Sequence, residues 1–185
     1  MAKYQITPLV VLTIDLSQLN YITIAVKSLN TNKYPMLSTV SKYALQGDNY
    51  QIRKKVLMYV KDAVINHSVD TIIIEKVKFI TDTSIIYPDF NILRDVKLNY
   101  GITISIEDAF MESVPYIIEV PTEEWTKSLF NSHTLYSPDI FKSHVNLENF
   151  TDQQRNIIDS YNFYKAICMC ECAHHESLLK KYWIN

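Results

Sequence analysis

The chain has 185 residues, of which 48% are hydrophobic, enough to bury a core within one domain, residues 1–185. Its net charge of −2 excludes binding of nucleic acid through overall positive charge, so any DNA contact must come from a local patch. No apolar run approaches the roughly 20 residues of a membrane-spanning helix, and the first residues lack the regions of a signal peptide, so we expect a soluble, unsecreted protein with no membrane contact.

The first half of the chain predicts an antiparallel meander, a helix and a fourth strand. Apolar and β-branched segments separated by turn-prone Asn, Ser and Pro predict three strands, at 9–16, 21–28 and 36–45. Apolar residues then recur every three or four positions, which predicts an amphipathic helix over 49–66. The fully apolar run 69–77 predicts a strand that ends in an acid, Glu75.

The next part predicts helices around one further strand. The periodicity over 89–113 permits either two pieces broken at Gly101 or one long helix with a glycine at a close packing point. A strand over 114–120 then precedes a helix for which Thr122 is a good N-cap.

The C-terminal part predicts a loop with one short helix over 131–150 and then one long helix. Thr151 and Gln154 form a capping box at the start of that helix, which is expected to continue to Trp183. The element order indicates an α/β fold whose sheet opens with the antiparallel meander and is covered by helices.

Three cysteines lie two residues apart in the terminal helix, at Cys168, Cys170 and Cys172. This spacing does not suit a disulfide framework and indicates reduced thiols in a cytosol-like compartment. On a helix Cys168, Cys172 and His175 would share a face, which permits zinc, but a fourth ligand is missing and a packed helix face is the simpler interpretation.

Acids at the ends of two strands predict a metal site. If the first and fourth strands are parallel neighbours, Asp15 and Glu75 meet at one edge of the sheet. Asp159 in the terminal helix, with Asn156 one turn earlier, would complete an oxygen-rich cluster suited to Mg²⁺ or Mn²⁺. Such ions activate water and stabilise the leaving oxygen of a phosphodiester. Each acid could also have an ordinary structural role, as a turn cap, an ion-pair partner or a solvated helix residue.

Three motifs follow one another along the chain: IDLSQLN, DTIIIEKV and NIIDSYNF. Their order resembles that of RuvC-like Holliday junction resolvases, especially the poxvirus-type branch. The first resembles the family's opening motif, the second its fourth strand with the metal-binding glutamate, and the third its C-terminal helix motif. Between them, LNYGITISIEDAFMESVPYIIEVPTEEWTK is similar to the family's long helix with an internal glycine, the following strand and a helix whose basic residue is matched by Lys127. The resemblance spans about Val10 to Cys170 and favours one helix around Gly101.

The resemblance implies an RNase H-like fold with a mixed five-stranded sheet, a homodimer, and Mg²⁺-dependent paired nicking of four-way (Holliday) DNA junctions. By the same resemblance Asp15, Glu75 and Asp159 would be metal ligands, and Asn156 stands where a fourth acid or a histidine is usual. Because asparagine brings no negative charge, binding of a second metal ion should weaken. A second alignment register, in which Asp159 takes the position of the motif's first acid and Asn162 that of its second, matches the motif less well.

The candidate DNA contacts are basic and aromatic residues near the predicted site. Lysines beside a metal site could hold phosphates, although lysine is more often simply solvated; the candidates are Lys76, Lys78 and Lys127. Tyr87 and Phe90, in the segment after Glu75, are candidate wedges between bases at a junction centre. The simpler interpretation of a further basic cluster is the solvent-exposed face of its helix; the cluster consists of Arg53, Lys54, Lys55 and Lys61.

Two other classes of function stay open. Asn156, a serine at Ser17 where the family usually has glycine, and the acidic pI are compatible with a non-catalytic descendant that binds nucleic acid or protein. Asp15 at a strand end also permits the phosphate loop of an actin-like or sugar-kinase ATPase, but two glycines in 185 residues argue against glycine-rich phosphate loops. The poxvirus-like motif spacing leads us to expect a cytoplasmic location, at a viral replication site in the host, with a mitochondrion as the alternative.

Overall fold

A computed structural model of the chain describes residues 8–17, 21–31, 36–42, 49–76, 90–130, 138–161, 163–173, 175 and 178–183. Within these ranges the side chains of 90–92, 138, 157–161 and 183 are outside the description, although their backbone belongs to helices.

Five strands form one mixed sheet in the order β3-β2-β1-β4-β5. They are β1 (Val10–Asp15), β2 (Tyr21–Ser28), β3 (Met36–Ser41), β4 (Thr71–Lys76) and β5 (Tyr116–Pro121). The first three pair antiparallel as the predicted meander, and β1, β4 and β5 run parallel. The predicted α/β class and mixed five-stranded sheet are therefore confirmed.

Three predicted strand ends are wrong by two residues or more, one of them the start of β5, which lies at Tyr116 and not at 114. The meander's third strand ends at Ser41 and not at 45; its neighbour Lys42 is buried and donates to the Leu16 carbonyl oxygen at 2.9 Å. The fourth strand begins at Thr71 and not at 69; just before it, the Asp70 carboxylate accepts the backbone N–H groups of Leu9 and Val10 at 2.8 and 3.0 Å. Asp70 thus fastens the start of β1 beside the start of β4.

In the described part of the chain, six α-helices pack around the sheet. They are α1 (Asn49–His67), α2 (Phe90–Phe110), α3 (Thr122–Phe130), α4 (Pro138–His144), α5 (Asp152–Tyr161) and α6 (Tyr164–Cys172). A 3-10 turn at Leu147–Asn149 and a π-helical turn at Leu179–Trp183 complete the described elements. The open question at Gly101 is settled, because α2 runs through it unbroken. At that point the side chain of Arg53 in α1 lies so close that a Cβ on residue 101 would be 3.0 Å from Arg53 Cδ.

Side-chain alternation along the strands divides the core into two layers. Leu12 and Ile14 of β1 face one cluster with α1 and α2, whereas Val11 faces the other, which contains α4, α6 and Trp125 of α3. Because every second residue of β1 and β4 faces α6, the last acid of each strand points to that side as well. Helices on both faces are therefore confirmed.

The single long terminal helix was a wrong prediction. Its start is correct: the Thr151 backbone N–H donates to Gln154 Oε1 at 3.1 Å and the Gln154 N–H donates to Thr151 Oγ1 at 3.2 Å. The helix nevertheless ends at Tyr161, and α6 begins at Tyr164. The described residues of α5 are mostly exposed, whereas seven of the nine residues of α6 are buried. The two pieces therefore pack at different depths, with the fully buried Phe163 between them.

The three cysteines occur as free, buried thiols in α6, so the interpretation as a packed helix face agrees with the structure. Burial raises the pKa of Cys170 to about 12 and raises the pKa of the other two thiols as well. None of the described helices has the length and apolar character needed to cross a lipid bilayer.

Candidate active site

Asp15 is the last residue of β1, and Glu75 is the last but one of β4, its parallel neighbour. Ile14 pairs with Ile74 in the β1–β4 ladder, so the next residue of each strand, an acid in both cases, lies at the same level. Asp15 is 0% and Glu75 1% exposed. The two carboxylates therefore lie together at one edge of the sheet, where the sequence placed them.

A lysine from α6 lies between the two carboxylates. Lys165 Nζ is 2.7 Å from Glu75 Oε2 and 3.2 Å from Asp15 Oδ1, and it also donates to Ser17 Oγ. The Lys165 side chain is only 12% exposed. The hydroxyl and backbone N–H of Ser17 donate to the same Asp15 Oδ1, at 2.8 and 3.0 Å. The edge of the sheet therefore holds a compact cluster of two anions and one cation.

The position of Lys165 is fixed by the packing of α6 on the sheet. Thr13, two residues before Asp15 on the same face of β1, donates its hydroxyl to the Ala166 carbonyl oxygen at 2.9 Å. Ala166 and Ile167 are buried next to it, and Glu171 at the end of α6 forms an ion pair with Lys27 of β2. The backbone that carries Lys165 is thus held against β1 and β2.

The first turn of α3 holds the other oxygen of Glu75. Thr122 Oγ1 donates to Glu75 Oε1 at 2.7 Å, and the indole Nε1 of Trp125 donates to the same atom at 3.3 Å. Helix α3 begins at Thr122 itself, and the Thr122 hydroxyl donates to Glu75 instead of capping the helix. The predicted N-cap role of Thr122 is therefore corrected. With Oε1 satisfied by α3, Glu75 directs Oε2 to the cation.

Burial and the neighbouring charges shift the pKa values of the cluster. Burial, and then the negative charge of Asp15, raise the pKa of Glu75 to about 7, against the opposing effect of Lys165. For Lys165 itself, burial lowers the pKa, but the attraction of Asp15 and Glu75 outweighs it and the pKa is raised. The two acids therefore bind the Lys165 ammonium strongly, and Glu75 is ionised only at a substantial cost in free energy.

Lys42 approaches the same region from the meander. Its ammonium and the side-chain amide of Asn99 both donate to the Leu16 carbonyl oxygen, at 2.9 and 3.4 Å. Burial lowers the pKa of Lys42, while the charges of Asp95 and Asp15 oppose that shift. The residues that follow Asp15 are thus fastened to β3 and α2.

The other predicted site residues are placed as follows. Asn156 is exposed on α5, and the side chain of Asp159, on the same helix, lies outside the described residues. Lys76 and Lys127 are exposed, the first at the end of β4 and the second on α3. Lys78, Tyr87 and Asn162 lie outside the described residues, as does the side chain of Phe90 at the start of α2.

Sequence reasoning missed Lys165, Thr122 and Trp125 as parts of the site. The signal for Lys165 was its isolation: it is the only charge between Phe163 and Cys170, in a segment that is otherwise apolar. A lone lysine in such a segment requires a buried anionic partner. The hydrogen bonds from Thr122 and Trp125 had no comparable local signal.

The donor set fits a small divalent cation in type. Two buried carboxylates direct oxygens to one point, which the ammonium of Lys165 marks as a position for positive charge, and carboxylate oxygens are the ligands that Mg²⁺ and Mn²⁺ prefer. Within the part of the chain that the structure describes, no cluster of three His, Cys, Asp or Glu side chains forms. The further ligands predicted from the sequence are Asp159, whose side chain is outside the described residues, and Asn156.

The sequence matches no protein-family model and no curated protein. Among solved structures, the yeast mitochondrial Holliday junction resolvase aligns with 92% of this chain and 83% of its own, at a TM-score of 0.51 and 12% identity. Fowlpox virus resolvase, solved with Holliday junction DNA, aligns with 93% of this chain and 97% of its own, at a TM-score of 0.49 and 14% identity. Thermus thermophilus RuvC, solved with a Holliday junction substrate, aligns with 66% of this chain and 70% of its own, at a TM-score of 0.48 and 12% identity.

The likeness to the yeast mitochondrial enzyme concerns the fold. This chain has the fold of that Holliday junction resolvase, a mixed five-stranded α/β sheet with helices on both faces, as its motif order predicted.

Proposed function

We propose that the protein is a structure-selective endonuclease that cleaves four-way DNA junctions with the help of Mg²⁺ or Mn²⁺. One observation carries the proposal: Asp15 and Glu75, both buried at the carboxyl ends of adjacent parallel strands, converge on a single cation. Ligand sites of open α/β sheets lie at this edge. Two acids buried side by side need positive charge next to them, which supports a cation-binding task for this point of the molecule.

Asp15 and Glu75 would hold the ion, with Asp159 and Asn156 as the further proposed ligands. A bound divalent ion would supply positive charge to stabilise the phosphodiester as it reacts. The chain's own residues prepare the site: Thr122 and Trp125 keep Glu75 Oε1 occupied, which leaves Oε2 for the ion.

Exposed lysines would hold the DNA backbone beside the acids. Lys76 directly follows Glu75, and Lys127 lies in α3, the helix whose first turn holds Glu75. Ammonium groups in these places could contact phosphates on either side of the cleavage point without reading sequence. Lys78 would extend this set, and Tyr87 and Phe90 are the proposed wedges at the junction centre.

A homodimer is part of the proposal, and the outer face of α2 supports it. Leu93, Tyr100, Ile104 and, directly after the helix, Met111 are exposed. At about 100° per residue, these four fall on one line, opposite the buried face of the same helix. A helix that is apolar on both faces usually packs between two layers, and the described part of the chain places a layer on one face only.

The positions of these four exposed apolar residues are symmetric along the sequence about Ile102. In an antiparallel pair of α2 helices related by a two-fold axis at Ile102, Leu93 would lie opposite Met111 and Tyr100 opposite Ile104. The exposed Lys97 would lie near two exposed acids of the second copy, at positions 107 and 108. Apolar and charged residues thus both find complementary partners in a second copy of the chain.

The dimer can be tested by sedimentation equilibrium. We expect the wild type to be a dimer and Ile104→Glu to be a monomer with an unchanged circular dichroism spectrum, because Ile104 is 43% exposed and near the two-fold axis. Leu9→Glu, at another exposed apolar position, is the matched control and should remain a dimer. A monomeric wild type would reject the homodimer, and a dimeric Ile104→Glu would reject this surface.

The nuclease activity can be tested on synthetic four-way junctions with Mg²⁺ or Mn²⁺, alongside linear duplexes of the same sequence. We expect cutting of the junction only, and loss of cutting with retained binding for Asp15→Asn, Glu75→Gln and Asp159→Asn. Glu124→Gln is the matched control, since Glu124 forms a surface ion pair with Lys181 and should leave cutting unchanged. Equal binding of junction and duplex, with no cutting in either ion, would reject the proposal.

A non-catalytic module that binds branched DNA or a protein is the second candidate. It is favoured by the Lys165 ion pairs, which balance the acids without a metal, and by the exposed, uncharged Asn156. Tight junction binding without cutting, even after Asn156→Asp, would favour this candidate over the nuclease.

A further inference from the structure

We propose that Lys165 is an internal competitor for the divalent cation: its ammonium balances Asp15 and Glu75 in the metal-free protein and must leave them before an ion can bind. This inference rests on the proposed nuclease site and adds a residue that controls how that site is loaded.

The distances make the two cations mutually exclusive. Lys165 Nζ lies 2.7 Å from Glu75 Oε2 and 3.2 Å from Asp15 Oδ1, so it occupies the space between the oxygens that an ion would use. Mg²⁺ binds oxygen at about 2.0–2.1 Å, which would bring the ion and the ammonium far closer than two like charges tolerate. One of the two must therefore be absent from the position.

The contacts of Lys165 differ from those of a solvated surface lysine. Its ammonium donates to Asp15, Ser17 and Glu75, and its side chain is 12% exposed. The backbone beside it is held by the bond from Thr13 to the Ala166 carbonyl oxygen. Displacement is thus expected as a rotation of the long, flexible lysine side chain and not as a movement of α6.

Competition predicts that removing the ammonium strengthens metal binding. In the wild type, each ion that binds must break two short ion pairs, whereas in Lys165→Met it meets two carboxylates that have no other cation from α6. Methionine keeps an unbranched chain of similar length, so it fills the space without charge. We expect Mn²⁺ to bind Lys165→Met about tenfold or more tightly than the wild type.

The test is titration of the metal-free full-length chain with Mn²⁺ alone, followed by calorimetry and by the electron paramagnetic resonance signal of free Mn²⁺. Lys61→Met, at an exposed lysine of α1, is the matched control and should bind Mn²⁺ as the wild type does. Tighter binding by Lys165→Met, or binding by this variant alone, supports the proposal. Equal Mn²⁺ affinity in Lys165→Met and the wild type overturns it.

A second measurement on the wild type covers the case in which Lys165→Met does not fold. Lysine acetylation with a small reagent, read by mass spectrometry, should label Lys165 slowly in EDTA and faster in saturating Mn²⁺, with Lys61 unchanged. Labelling of Lys165 that stays the same while Mn²⁺ is bound would overturn the proposal.

The outcomes separate this inference from the nuclease proposal. If the wild type binds Mn²⁺ and cuts junctions but Lys165 neither moves nor affects affinity, only the inference fails. If neither the wild type nor a folded Lys165→Met binds Mn²⁺, the inference and the metal-dependent nuclease fail together.

Discussion

Raising the pH should destabilise the metal-free protein through Glu75. This carboxyl is buried beside Asp15, and its pKa is raised from 4.5 to about 7. Because the folded state binds the proton more tightly than the unfolded state does, the stability from this group is greatest below pH 4.5 and is lost as the pH rises through 7. Lys165 does not obscure the effect, since its pKa is raised above 10.5 and it stays charged throughout.

The size of the effect follows from the shift. A change from 4.5 to about 7 corresponds to about 3 kcal/mol in total, of which about 2 kcal/mol falls between pH 5.5 and pH 8. Substitution by glutamine removes the titrating proton, so most of this pH dependence should disappear in Glu75→Gln. The stability difference between wild type and variant should therefore itself depend on pH.

Urea unfolding in EDTA at pH 5.5 and pH 8, at constant ionic strength, measures the effect for the wild type and Glu75→Gln. Glu124→Gln is the matched control: the bonds from Lys181 lower the pKa of this exposed carboxyl, so its titration lies below the window and the wild-type slope should be kept. An equal loss of stability with pH in the wild type and Glu75→Gln would refute the reasoning.

Three further predictions concern the fold. Thr151→Ala removes the hydroxyl that accepts the Gln154 N–H in the capping box of α5, and should lower the free energy of unfolding by about 1 kcal/mol in urea. Gly101→Ala should raise it by up to about 1 kcal/mol, because the flexible Arg53 side chain can move from the new Cβ; a lower value would show that it cannot. The three buried thiols should stay unreactive to an aromatic disulfide reagent until the protein unfolds, and rapid labelling under native conditions would contradict their burial.

Most of the fold could be predicted because its signals are local. The meander, the amphipathic α1 and the apolar β4 each carry a periodicity that depends only on which faces are buried. The long α2 was ambiguous for a physical reason: its outer stripe is apolar as well, so no polar face marks it as one amphipathic helix. Motif order, and not periodicity, favoured the correct alternative.

The errors arose where tertiary packing overrides local pattern. The segment after Thr151 has helical propensity throughout, and nothing in its composition indicates that Phe163 is fully buried between two helices of different depth. Similarly, the sequence places Asp70 inside the fourth strand, and nothing local indicates that its carboxylate accepts the N–H groups of Leu9 and Val10. Both depend on contacts between residues distant in sequence.

The site was half predictable for the same reason. The prediction assumed that β1 and β4 are parallel neighbours, and this pairing, present in the structure, brings Asp15 and Glu75 together. Lys165 is 90 residues beyond Glu75, and its place in the site depends on α6 packing over β1. Sequence patterns identify which strand ends carry acids, but they do not identify which helix supplies the counter-charge.

The arrangement of one lysine between two acids bears on why the acids are there. Removing the charge of Asp15 leaves Lys165 paired with Glu75, and removing that of Glu75 leaves it paired with Asp15, whereas removing Lys165 leaves both buried carboxylates without its charge. Either acid can therefore be replaced without leaving Lys165 unpaired, whereas replacing Lys165 lowers stability and leaves the two acids more ready to bind another cation. A buried ion pair needs only one acid, so the second acid supports the proposed binding of a cation that carries more than one positive charge.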